Sequence, residues 1–164
     1  MDNKKLINIL SMFAVFLVIP MMFSTFFDGY SIVSKGVQTN APYQVSIFEY
    51  LNQRSVVLTF SFLFALVLIL AVLANIVYTI KLTINKENGG VLRFYFAIFI
   101  MVSAILTFVL TLVFCVSHTQ SDGNSALNYN VGGCMILMLV CGLVIGILNL
   151  VCYFLANKKN NVEK

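Results

Sequence analysis

Four stretches of this chain are long, apolar and free of internal charge, and no other feature limits its fold so tightly. They run over residues 6–27, 56–80, 92–116 and 131–156. Even the shortest, 22 residues long, exceeds as a helix the ~30 Å of hydrocarbon in a bilayer at ~1.5 Å per residue. Lipid offers no water to backbone amides, so each stretch is expected to be helical. Of the 164 residues, 60% are hydrophobic and only 10% charged. A soluble domain of this length has too little interior to hide that much apolar surface. The expected fold class is an all-α membrane protein, a four-transmembrane-helix bundle forming one domain over residues 1–164, with the lipid bilayer as its first partner. Lys4 and Lys5 ahead of the first stretch resemble the start of a signal peptide. The apolar core is too long for one and Phe23–Phe27 offers no small-residue cleavage site, so it reads as an uncleaved span.

Lysine and arginine set the expected direction. Eight of the ten lie at the N-terminus, in the loop at 81–91 with Arg93, or at the C-terminus. The other two loops, 28–55 and 117–130, hold only Lys35 and Arg54. By the positive-inside rule both termini and the 81–91 loop are cytoplasmic. The formal net charge of +4 is thus assigned to topology, and no nucleic-acid partner is expected. Asn- and Lys-rich termini without an N-x-[ST] sequon point to a bacterial cell membrane.

The first outward loop is long enough for structure of its own. Ser46-Ile-Phe-Glu49 has the spacing of a capping box at a helix start. Tyr43–Ile47 alternates as a short strand does. The second outward loop, with Ser121-Asp-Gly-Asn124, reads as a simple turn-rich connection, and Lys86–Gly90 as a cytoplasmic turn. Leu73-Ala-Asn75-Ile-Val-Tyr78 resembles Ile147-Leu-Asn149-Leu-Val-Cys-Tyr153, which suggests two helical hairpins of one orientation related by an axis along the membrane normal.

Inside the spans a few residues depart from plain hydrocarbon. Gly142 and Gly146 form a GxxxG, the spacing that lets helix backbones approach. They lie on a stripe with Met135, Met138, Asn149 and Tyr153, either a dimer face or a contact within the monomer. Asn75 and Asn149 are polar and deep, so each must face protein or water, as an inter-helix hydrogen bond or a small polar path. Asn8 lies near the inner edge. Ser103, Thr107 and Thr111 recur every four residues on the third span and suit either a wet cavity or back-bonding to carbonyls in a dry interface. Pro20 removes a backbone hydrogen bond from the first span.

Cys115 and Cys134 fall at similar depth near the outer surface, where a disulfide is geometrically possible; Cys141 and Cys152 lie deeper. No C-x-x-C is present. His118 with Asp122 is far short of a metal-ligand set. Met12, Met21 and Met22 read as apolar filler. No cofactor or metal is expected.

Four spans with a long first and a short second outward loop resemble the layout of claudin and peripheral-myelin-type tetraspans. That family carries W-G-L-W and two cysteines in the first outward loop. This chain has no tryptophan, and residues 28–55 contain no cysteine. Small multidrug transporters share the span count but use a glutamate in the first helix, and residues 6–27 contain no acidic residue. The similarity is one of layout, which carries no function.

The absence of an intramembrane acid or histidine argues against proton coupling, and the absence of a nucleophile–base pair or metal set against an enzyme. The expectation is a non-catalytic tetraspan that packs with itself, as a homo-oligomer, or with a larger membrane complex. The alternatives are a channel or uncoupled transporter subunit for a small neutral or lipophilic solute, and a redox-sensitive protein using Cys115 and Cys134.

Overall fold

The computed structural model describes residues 3–35, 43–85, 90–122 and 125–160. Four helices carry the apolar stretches: α1 (Asn3–Ser24), α2 (Val56–Ile84), α3 (Val91–His118) and α4 (Gly133–Asn160). All four are long and apolar enough to cross a membrane. Large apolar side chains stand outward along each, with Phe16, Leu70, Val116 and Phe154 all more than 60% exposed, as lipid contact requires. Residues 86–89, read from the sequence as part of a cytoplasmic turn, and residues 123–124 lie outside the described residues.

Inward positions recur by alternating threes and fours in every helix. The buried faces are Ile7, Ser11, Ala14, Val18 and Met21 on α1; Leu58, Ser61, Ala65, Leu68, Val72, Asn75, Thr79 and Leu82 on α2; Arg93, Ala97, Ile100, Ala104, Thr107, Thr111 and Phe114 on α3; and Met135, Met138, Gly142, Ile145, Asn149, Cys152 and Ala156 on α4. That spacing keeps a narrow stripe turned toward a neighbour and is the pattern of near-parallel helix packing. The helices close on one another in the order α2, α3, α4, α1, while α1 and α2 meet at few positions. The two hairpins are therefore unlike: α3 and α4 pack closely, whereas α1 and α2 stand apart. The twofold repeat suggested by the Asn75 and Asn149 segments is mirrored in the similar α2–α3 and α4–α1 contacts but not between α1–α2 and α3–α4.

The expectation of an all-α fold is corrected at one end of the bundle. Four strands, β1 (Asp28–Lys35), β2 (Tyr43–Ser46), β3 (Gln120–Asp122) and β4 (Ser125–Val131), form one antiparallel sheet in the order β2-β1-β4-β3. The second loop is thus a hairpin paired onto the first loop, not a simple connection. An up-down-up-down bundle brings both loops to the same end, and strand pairing satisfies backbone groups that would otherwise lack partners. Val131, assigned to the fourth span, ends β4 instead and pairs with Tyr30. The first helix also stops earlier than residue 27. Ser24 and Thr25 hydroxyls donate to the Met21 and Met22 carbonyls, both at 2.7 Å, and satisfy its terminal acceptors.

Alternation gives the sheet two faces. Tyr30 and Val45 point into the protein and are fully buried, with Ile32, Tyr129 and Val131 half-buried beside them. Gln44 and Asn130 point away and are exposed. A bulge between Asp28 and Tyr30 shifts the β1–β2 register, and Gly29 sits there against the Tyr50 ring, where a Cβ would overlap the phenol. Between β2 and α2, Ile47–Gln53 forms a 3-10 helix. The Ser46 amide donates to the Glu49 carboxylate at 2.8 Å, as the spacing of those residues anticipates. Arg54 then turns through the left-handed region (φ 50°), and Ser55 begins α2.

Candidate functional site

The residues singled out from the sequence fall into two sets, one that packs the helices and one that leaves polar groups unsatisfied. Gly142 and Gly146 belong to the first. Both are buried against α3 of the same chain: a Cβ on Gly142 would lie 2.7 Å from the Ala104 Cβ, and one on Gly146 would overlap the Met101 side chain. The close approach they permit is used between α3 and α4.

Ser103, Thr107 and Thr111 also face inward, none more than 3% exposed. The Thr107 hydroxyl donates to the Ser103 carbonyl at 2.8 Å, and the Thr111 hydroxyl to the Thr107 carbonyl at 3.0 Å. Ser61 on α2 reaches both the Thr107 carbonyl and the Thr111 hydroxyl at 2.9 Å. Because Thr111 directs its proton along its own helix, the Tyr50 phenol, 3.3 Å away, can donate to its oxygen. The stripe thus forms a hydroxyl ladder between α2 and α3, joined at its end to the segment beneath the sheet.

Above that ladder lies an aromatic core. Tyr30 is its centre, with ring centroids 5.7 Å from Tyr50, 5.3 Å from Phe114 and 6.1 Å from Tyr129. Burial pushes the Tyr30 phenol up to about 12, helped by Tyr129, and burial also raises that of Tyr50. The neutral forms belong to the fold. His118 stacks on Phe114 at 4.1 Å, and its Nδ1 lies 3.0 Å from the Phe114 carbonyl and from the Ser117 hydroxyl. It closes the end of α3. The Asp122 side chain lies outside the described part of the structure, and no group of three or more metal-ligating side chains occurs among the described residues. All four cysteines are free thiols. Cys115 is buried under the aromatic core, and Cys134 lies beside Asp28.

The second set lies toward the other end of the bundle. Asn75 and Asn149 are each 3% exposed and face inward. Asn149 Nδ2 donates to the Ile145 carbonyl one turn back at 3.0 Å, whereas Asn75 Oδ1 has no partner among the described residues. Thr79 follows Asn75 by one turn on the same face. Arg93, counted among the cytoplasmic charges in the sequence, is 2% exposed and points into the bundle. Its Nη1 donates to Ser11 Oγ on α1 at 2.9 Å, and its Nε has no partner among the described residues. Ser11 in turn lies 3.7 Å from Cys152 Sγ, whose thiol reaches the Ile7 carbonyl at 3.8 Å. A run of donors leads from α3 through α1 to α4 and back to α1, and it contains no anion. The four α-helices carry no Asp or Glu.

Sequence reasoning missed Arg93 and Ser11. Arg93 sits one turn before Ala97 on the stripe that continues through Ile100, Ala104, Thr107 and Thr111, and that phase was the available signal. No family model and no curated protein matches this chain.

Proposed function

We propose that this chain is a non-catalytic integral membrane protein that assembles with itself or with a larger membrane complex through its extramembrane sheet. Both termini and the α2–α3 connection face the cytoplasm in this reading, and the sheet faces outward. The distribution of ten basic residues supports that direction, since the sheet end holds only Lys35 and Arg54.

One observation carries the assembly reading. The sheet is built on the helix ends through the buried Tyr30–Tyr50–Phe114 core, so its orientation is fixed by the bundle. Beyond that core, edge strand β2 presents Tyr43, which is 61% exposed, and Gln44. A sheet edge with free backbone groups pairs readily with another chain. The glycines serve the α3–α4 contact and the hydroxyls the α2–α3 contact, which supports packing as the role of those residues.

The test is a photo-crosslinking amino acid at Gln44 in native membranes, followed by mass spectrometry of the adducts. The proposal expects adducts with one defined species, a second copy or a recurring membrane protein. A monodisperse monomer in mild detergent, with no adduct in the membrane, would sink it.

A further inference from the structure

The weak contact between α1 and α2 leaves a groove of about 340 Å³ at the end of the bundle away from the sheet. Apolar side chains, among them Val15, Phe16 and Ile80, form most of its wall, and Ser11 and Thr79 supply hydroxyls. The groove lies between helices whose outer faces are apolar and exposed. Its floor is charged from behind. Ser11 accepts from the Arg93 guanidinium at 2.9 Å, and that guanidinium is buried with Nε unpartnered among the described residues. A neutral hydroxyl does not neutralise a cation, and an unpaired charge taken out of water is strongly unfavourable. No acidic side chain occurs in any of the four helices, so an anion for Arg93 has to come from outside them.

We infer that the groove between α1 and α2 binds one anionic phospholipid, its acyl chain along Val15 and Ile80 and its phosphate reaching Arg93 past Ser11. Guanidinium suits phosphate because its planar fork offers paired donors, and Nε is one of them. Groove, buried cation and hydroxyl rim lie together, and each matches one part of such an amphiphile. This inference is independent of the assembly reading, because it concerns the opposite end of the molecule and a lipid instead of a protein.

The experiment uses the full chain purified in neutral detergent. Equal amounts of palmitoyl-oleoyl-phosphatidylglycerol and palmitoyl-oleoyl-phosphatidylcholine are added, and native mass spectrometry counts retained lipid. A parallel arm adds inorganic phosphate alone and follows the melting temperature. The expected result is one phosphatidylglycerol per chain, retained at least tenfold over phosphatidylcholine, with no shift from phosphate. Arg93→Gln should lose at least tenfold of that retention. Val15→Trp should lose as much while keeping Arg93 and its bond to Ser11, and it decides the matter if Arg93→Gln does not fold. Equal retention of the two lipids, or unchanged phosphatidylglycerol binding in Val15→Trp, overturns the inference. Protection by inorganic phosphate alone overturns the assignment to a lipid.

Discussion

Replacing Tyr30 by alanine removes the ring on which the sheet rests. Tyr30 is fully buried and touches the rings of Tyr50, Phe114 and Tyr129 from a single position. Burial of an aromatic side chain of roughly 150–250 Å² at about 25 cal/mol per Å² gives roughly 4–6 kcal/mol as an upper bound. Aromatic-to-alanine substitutions in cores cost about 3–5 kcal/mol. At about 1.4 kcal/mol per factor of ten, that range corresponds to roughly a hundred- to several-thousand-fold more frequent opening of the sheet. Amide hydrogen exchange read by mass spectrometry measures this directly. In nanodiscs, peptides covering β1 and β4 should lose protection by that factor, while peptides from the middle of α2 and α3 keep theirs. Tyr30→Phe, which retains the ring, should stay within about tenfold of the parent. Unchanged protection of β1 and β4 in Tyr30→Ala would refute the role given to the aromatic core, and so would equal loss in the helices.

Three further outcomes follow from the same geometry. Because burial raises the Tyr30 phenol to about 12 and raises that of Tyr50, the unfolded chain releases those protons near pH 10 while the folded one holds them. Sheet stability should therefore be flat with respect to these groups below about pH 10 and fall between about 10 and 12, with a shallower fall in Tyr30→Phe; a rise across that window would contradict the burial argument. Gly142→Leu drives a side chain into Ala104 and should destabilise the monomer by about 1–3 kcal/mol in thermal unfolding; unaltered melting with loss of a dimer would move that glycine face to an intermolecular contact. Asn75→Leu removes an acceptor that has no partner among the described residues and should be neutral or stabilising by about 1 kcal/mol, whereas a solute path through Asn75 and Asn149 would show lost flux with assembly intact.

The helices were legible because hydropathy over twenty residues needs no knowledge of neighbours. Strand β2 and the start of the 3-10 helix were legible for a local reason too, in the alternation at Tyr43–Ile47 and the Ser46–Glu49 spacing. The second loop was misread although Leu127-Asn-Tyr-Asn-Val131 alternates as a strand does, because the turn-forming composition of Ser121-Asp-Gly-Asn124 dominated it. Its pairing with β1 had no local signature at all: Tyr30 and Val131 are a hundred residues apart, and only the bundle brings them together. Arg93 was read by its place at the edge of a span, where basic residues set topology. Its rotational phase on α3 decided instead, and a charge on the inward stripe is carried into the bundle whatever its distance from the segment end. The glycines showed that helices meet there without showing which helix they meet.

The claim on which the rest depends is that both loops lie on one side of the membrane, joined in a single sheet, with the α2–α3 connection on the other side. Single cysteines at Gln44 and Asn130 on the exposed face of the sheet, and at exposed Asn85 at the end of α2, can be labelled with a membrane-impermeant maleimide in intact cells after the native cysteines are replaced. The account predicts labelling at positions 44 and 130 from outside, and at position 85 only after permeabilisation. Labelling of 44 and 130 from opposite sides, or of 85 together with either, would contradict it.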